Sequence, residues 1–230
     1  MSMLEMKDLA ICSPDLYYTP RMQKYIYQKC QEPDKKWIYR IIQGKPCSSK
    51  EVVYINNSDW MLCKDIHPGA DTRYLIVFKN LELKTIRDLR QEHVCLLINV
   101  KQETEKFLYM QHGKHAVKFQ FFFHYTPSVY QLHAHISIPG SFYNYSRSHP
   151  LSVVIRNLLS NSFHYRDAMI LFSLNKNVKA LGLHEAVPFC PQQSISMQES
   201  TDTIDMHESS DMYKLDHFDG EKTDTVEKTI

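Results

Sequence analysis

Residues 124–140 read HYTPSVYQLHAHISIPG, and the alternation inside this run, QLHAHIS, restricts the fold more than any other stretch. Positions two apart share a face on a β-strand and diverge on a helix. Leu132, Ala134 and Ile136 then form an apolar row, while Gln131, His133 and His135 form a polar row on the opposite side. The spacing predicts a strand over 129–138 with one face in a core and the other turned to a site. VKFQFFFHY (117–125) predicts the strand before it, and the YTPSV turn between them brings His124 towards the polar row.

The remaining pattern supplies partners for such a hairpin. Thr19 and Pro20 give a cap and a first helical position for a short helix over 19–31. β-Rich runs predict strands at KKWIYRII (35–42), EVVYIN (51–56), DWMLCKDI (59–66), RYLIVF (73–78) and DAMILFSL (167–174). Apolar spacing from Ile86 to Leu108 predicts a helix over 85–109, and PLSVVIRNLL (150–159) predicts another with Pro near its start. The order predicts an α+β fold with a mostly antiparallel sheet and flanking helices.

A sheet of that size needs a core, and 43% apolar residues in a 230-residue chain suffice for one. No run of about 18 apolar residues occurs, so no membrane span and no membrane partner are expected. No signal peptide is read at the N-terminus. Six cysteines (12, 30, 47, 63, 95 and 190) form no CxxC pair and are expected as reduced core thiols, which suits a cytoplasmic or nuclear location. The net charge of +1 hides an asymmetry: residues 191–230 hold ten acids and three bases, leaving +8 on residues 1–190. A basic body suits an anionic ligand such as a phosphate. The segment from about 188 is rich in Ser, Thr, Gln and acids, and is expected to be a disordered acidic tail.

Three readings of the histidine row stand open on the residues alone. The row is a solvent-exposed strand face. Alternatively, His133 and His135 with His124 begin a Zn²⁺ site. Or a neutral imidazole attacks phosphorus, forming a phosphoramidate that water breaks, while its neighbour holds phosphate oxygens or protonates a leaving group.

HYTPSVYQLHAHIS resembles the signature of the histidine triad (HIT) superfamily, and more closely that of the scavenger mRNA decapping enzymes. RYLIVFKNLELKTIRDLRQEHVCLLINV, KKWIYRII…EVVYIN and SRSHPLSVVIRNLL are similar to further blocks of that family, in the same order, over roughly residues 20–183. The resemblance implies a HIT-like fold and hydrolysis of the residual cap m7GpppN to m7GMP and a nucleoside diphosphate, in mRNA decay. It implies that His133 is the nucleophile. It puts His124, Ser128, Tyr130, Gln131, His135 and Arg147 along the phosphates, and Trp37, Asp65 and His67 at the methylated base. No cofactor or metal is implied. The partners implied are a capped dinucleotide or short capped RNA and a second copy of the chain.

The pattern departs from the family in four places. Gln131 stands at the first triad position in place of His. His67 stands where the family has Lys. The glutamate that pairs the guanine edge falls near Ser48, with Glu51 in register with the next strand. YYTPRMQKYIYQ resembles the exit of the family's N-terminal swapped domain, so the chain is expected to be a truncated or divergent member. It divides as 1–34 (remnant and hinge helix), 35–187 (HIT-like catalytic domain) and 188–230 (tail). Reduced activity is therefore expected, and a catalytically weak or inactive cap-binding or nucleotide-binding paralogue is the alternative.

Overall fold

The computed structural model describes residues 9–45, 51–65, 73–138 and 147–173. The chain divides into Met1–Cys190 and Pro191–Ile230, and every described residue lies in the first unit. The expected tail, His67 and Ser48 lie outside the described residues.

In chain order the elements are β1 (Leu9–Cys12), α1 (Pro14–Tyr17), α2 (Pro20–Gln31), α3 (Trp37–Ile42), β2 (Val53–Asn56), β3 (Trp60–Lys64) and β4 (Tyr74–Phe78). There follow α4 (Val94–His112), β5 (Gln120–His124), β6 (His133–Ser137), β7 (Ser148–Pro150), α5 (Leu151–Ser160), α6 (His164–Asp167) and β8 (Ile170–Ser173). β2-β3-β4-β6-β5-β7 is the order of a six-stranded sheet in which every pairing is antiparallel; β1 and β8 form a separate antiparallel pair. The α+β architecture with an antiparallel sheet and flanking helices is therefore as expected. Among the described residues no helix is long and apolar enough to cross a membrane. Cys12, Cys30, Cys63 and Cys95 are free thiols.

The pleat sorts side chains onto two faces. Trp60, Leu62, Ile76, Phe78, Phe123, Ala134 and Ile136 join the main core, together with Leu97, Val100 and Leu108 of α4 and Leu151, Val154 and Leu158 of α5. Tyr17, Met22 and Ile26 of α1 and α2 belong to the same core. The opposite face carries a smaller cluster, in which Met61, Cys63, Leu75 and Val77 meet Ile38 and Ile41 of α3, with Val129. Buried fully, each such aliphatic side chain contributes about 1.5–3 kcal/mol.

α2 starts as its sequence predicts: the Thr19 hydroxyl accepts the Met22 N–H at 3.2 Å, and Pro20 takes the first helical position. Three expectations need correction. WIYRII is a helix rather than a strand. Its burial has a period of three, with Ile38 and Ile41 against the sheet and Arg40 in solvent, so packing overrides β-propensity. The helix expected over 85–109 begins only at Val94 and extends to His112. Before it, the Asp88 carboxylate accepts the N–H groups of Lys84 and Thr85, which closes a 3-10 turn rather than an α-turn. The strand expected over 129–138 is laddered only from His133, because its partner β4 ends at Phe78 and the chain then turns away.

Arg87 ties these parts together from the interior. Its Nε donates to the Tyr125 hydroxyl at 2.7 Å and its Nη2 to the Cys12 carbonyl at 2.7 Å. Its Nη1 reaches the carbonyls of Tyr165, Arg166 and Ala168 at 3.1–3.3 Å. The guanidinium is wholly buried and lies over the rings of Tyr17 and Tyr125.

Candidate active site

The histidine row lies on the face opposite the main core, beyond the small cluster that α3 covers. Register assembles it. β6 pairs His133 with Val77 and His135 with Leu75 on β4, and β5 sets Phe122 against His135. His124, two residues on from Phe122, shares that face. Its ring centroid lies 4.3 Å from that of His135, which in turn lies 5.0 Å from that of His133. Phe122 stacks on His135 at 5.7 Å, with 22° between the planes. β7 pairs Ser148 with His124, which delivers Arg147: its Nη2 lies 3.2 Å from His124 Nδ1.

Two hydrogen bonds settle proton positions. A carbonyl only accepts, so the 2.7 Å contact between His133 Nδ1 and the Gln131 carbonyl places the ring proton on Nδ1 and the lone pair on Nε2. A guanidinium only donates, so His124 Nδ1 accepts from Arg147 and the His124 proton sits on Nε2. Burial, reinforced by the charge of Arg147 and by His133 and His149, lowers the His124 pKa to about 2. His124 is thus a neutral N–H donor in a cationic surround. Burial also lowers the Arg147 pKa. Partial burial, with the nearby Arg87 charge, lowers the His149 pKa to about 4.

The other expected site residues are placed as follows. Gln131 is fully buried; its side-chain Nε2 donates to the carbonyls of Phe78 (2.7 Å) and Asn80 (2.9 Å). Ser128 is exposed on the turn. Tyr130 is buried in the main core, edge-on to Tyr25, and its carbonyl accepts from the Tyr39 hydroxyl at 3.2 Å. Trp37 is half-buried at the start of α3 beside the small cluster. Asp65 is buried at the end of β3, 3.7 Å from Arg73. Glu51 is half-buried, and its charge adds to burial in raising the Cys63 pKa to about 12. One further residue of this face, Phe122, which stacks on His135, is absent from the sequence-derived set. Phe122 is legible as the same-face neighbour of His124. Among the described residues, no group of three or more His, Cys, Asp or Glu side chains is placed to hold a metal ion.

Imidazole donors, a lone-pair nitrogen and a guanidinium gathered on one buried sheet face suit an anion whose phosphorus is attacked. The antiparallel sheet and its imidazole row resemble the arrangement expected of a histidine-triad type of domain. Residues 36–145 match the family model described as "Scavenger mRNA decapping enzyme C-term binding". The m7GpppX diphosphatase of Mus musculus is 28% identical over 169 residues, covering 68% of this chain and 49% of that protein. That of Homo sapiens is 28% identical over 160 residues, covering 64% and 47%. Over residues 36–145 the chain is similar to the scavenger mRNA decapping enzymes. It spans about half the length of the curated relatives it matches. Among solved structures, a histidine triad protein from Clostridium difficile is 17% identical with a TM-score of 0.39, covering 50% of this chain and 98% of that one. The aprataxin ortholog Hnt3 from Schizosaccharomyces pombe is 16% identical with a TM-score of 0.37, covering 67% and 95%.

Proposed function

We propose that this chain hydrolyses m7GpppN, the residual cap left by mRNA decay, to m7GMP and a nucleoside diphosphate. The observation that carries the reading is the 2.7 Å bond from His133 Nδ1 to the Gln131 carbonyl, which directs the lone pair to Nε2. In the proposed reaction Nε2 attacks the phosphorus next to the methylated nucleoside. A P–N bond forms as the P–O bond to the nucleoside diphosphate breaks. Water then cleaves the P–N bond, m7GMP leaves and the imidazole is regenerated. His124, His135 and Arg147 hold the non-bridging oxygens and meet the charge that grows on them. Donors fixed in a buried site need little reorganisation as the reaction proceeds. Trp37 stacks on the cationic base.

The test is product analysis with m7GpppG, unmethylated GpppG and a diadenosine polyphosphate. His133→Asn is expected to abolish m7GMP release while leaving the circular dichroism spectrum unchanged. Hydrolysis at the parent rate by that variant removes His133 from the mechanism. Gln131 at the first triad position favours one second reading, a binder without turnover. It predicts saturable m7GpppG binding with every dinucleotide left intact.

A further inference from the structure

We propose that the Gln131 side chain is a positioning device, a two-pronged clamp that holds its own backbone carbonyl where it fixes the ring orientation of His133. The inference builds on the nucleophile reading of His133 and concerns how this chain meets the requirement with glutamine.

Residues 129–132 precede the ladder of β6, so no strand partner holds Gln131 in place. The segment is stitched instead to the chain that leaves β4. Phe78 N–H donates to the Leu132 carbonyl at 3.1 Å, and Leu132 N–H donates to the Leu83 carbonyl at 2.8 Å. The Leu132 N–H lies in the same planar peptide as the Gln131 carbonyl, so the bond to Leu83 restrains that peptide from one side. The second anchor is the Gln131 amide, whose nitrogen bridges the Phe78 carbonyl at 2.7 Å and the Asn80 carbonyl at 2.9 Å. Two carbonyls facing one atom also settle which end of the amide is nitrogen, because an oxygen there would meet two oxygens.

The chemistry selects glutamine. A primary amide carries two N–H bonds on one nitrogen and can bond both carbonyls at once, whereas each imidazole nitrogen carries at most one. The clamp has a cost: the Gln131 side chain is wholly buried, and among the described residues its Oε1 has no hydrogen-bond partner. A buried unpaired acceptor is tolerated here because the nitrogen's two bonds close the turn on which the His133 contact depends. Release of the clamp leaves that peptide held by the Leu132 N–H bond alone; the carbonyl then tilts about this single anchor, and the imidazole samples the other tautomer and other rotamers.

The experiment reads the ring directly. In protein labelled with ¹⁵N-histidine, the parent is expected to show His133 as the Nδ1–H tautomer. Gln131→Met, similar in length and without donors, is expected to give a mixture of tautomers. Its kcat for m7GpppG is expected to fall about tenfold or more while KM changes less than about twofold, as for a group that orients the attacking atom. Gln131→His, with one donor per nitrogen, is expected to lie between the two, and it carries the test if the Met variant does not fold. A His133 that remains wholly Nδ1–H in the folded variants overturns the proposal. Failure of the parent to turn over any dinucleotide instead overturns the cap-hydrolase reading, and the tautomer measurement then decides the clamp by itself.

Discussion

Arg87 offers the severest test of how the fold is held around the site. It is a fully buried cation whose partners are all neutral: a phenol, the Cys12 carbonyl and three carbonyls between Tyr165 and Ala168. Arg87→Met keeps most of the volume and removes every donor. Five acceptors then lose a donor, three of them in fully buried contacts: the Tyr125 hydroxyl and the carbonyls of Cys12 and Tyr165. Each orphaned acceptor costs about 1–3 kcal/mol. Against this stands relief of the guanidinium's dehydration, worth several kcal/mol. Three such costs, about 3–9 kcal/mol together, set against that relief leave a net loss of a few kcal/mol, about 4. Urea unfolding followed through Trp37 and Trp60 fluorescence measures it. With a slope near 2 kcal/mol per molar, the midpoint should fall by about 2 M. Arg87→Lys keeps the charge but cannot span acceptors on three sides, and should recover less than half of the loss. A midpoint for Arg87→Met at or above the parent's refutes the reasoning. Dehydration would then outweigh the bonds, and Arg87 would be a burden rather than a tie.

Two further outcomes are expected. His124 and His149 have folded pKa values of about 2 and about 4, below the ordinary histidine value, so the unfolded chain binds more protons once pH falls below about 6.5. Stability is then fully present at neutral pH and declines below about 6.5, down to about 4 for His149 and about 2 for His124, by up to about 1.4 kcal/mol per pH unit for each ring. His124→Asn should remove one ring's share of that slope in urea titrations from pH 7 to 4.5, and an unchanged slope counts against a buried neutral His124. Trp37→Ala should weaken m7GpppG binding by about 1–3 kcal/mol, the worth of one stacked base, and weaken GpppG binding less; equal losses for both ligands, measured by calorimetry, dismiss stacking on the methylated base.

Much of the site is legible because a strand has an exact two-residue period. From HAHIS it follows that His133 and His135 share a face and that Ala134 and Ile136 enter the core, as they do. The α2 cap is legible for the same local reason, since Thr19 and Pro20 act within one turn. WIYRII reads as a strand because its β-branched residues favour one, while its burial as a helix against Met61, Leu75 and Val77 depends on residues at least nineteen positions away. Alternation puts Gln131 on the strand because it does not say where a ladder ends. That limit is set by β4 stopping at Phe78.

Local covalent geometry repeats every two residues on a strand and every three or four on a helix, so the row of imidazoles and its apolar back are written in neighbouring residues. The approach of His124 to His135, the arrival of Arg147 from β7, the clamp on Phe78 and Asn80 and the five bonds of Arg87 join positions far apart in the chain. They arise from strand register and core packing, which form only when the whole domain closes and each buried polar group must find its partner there.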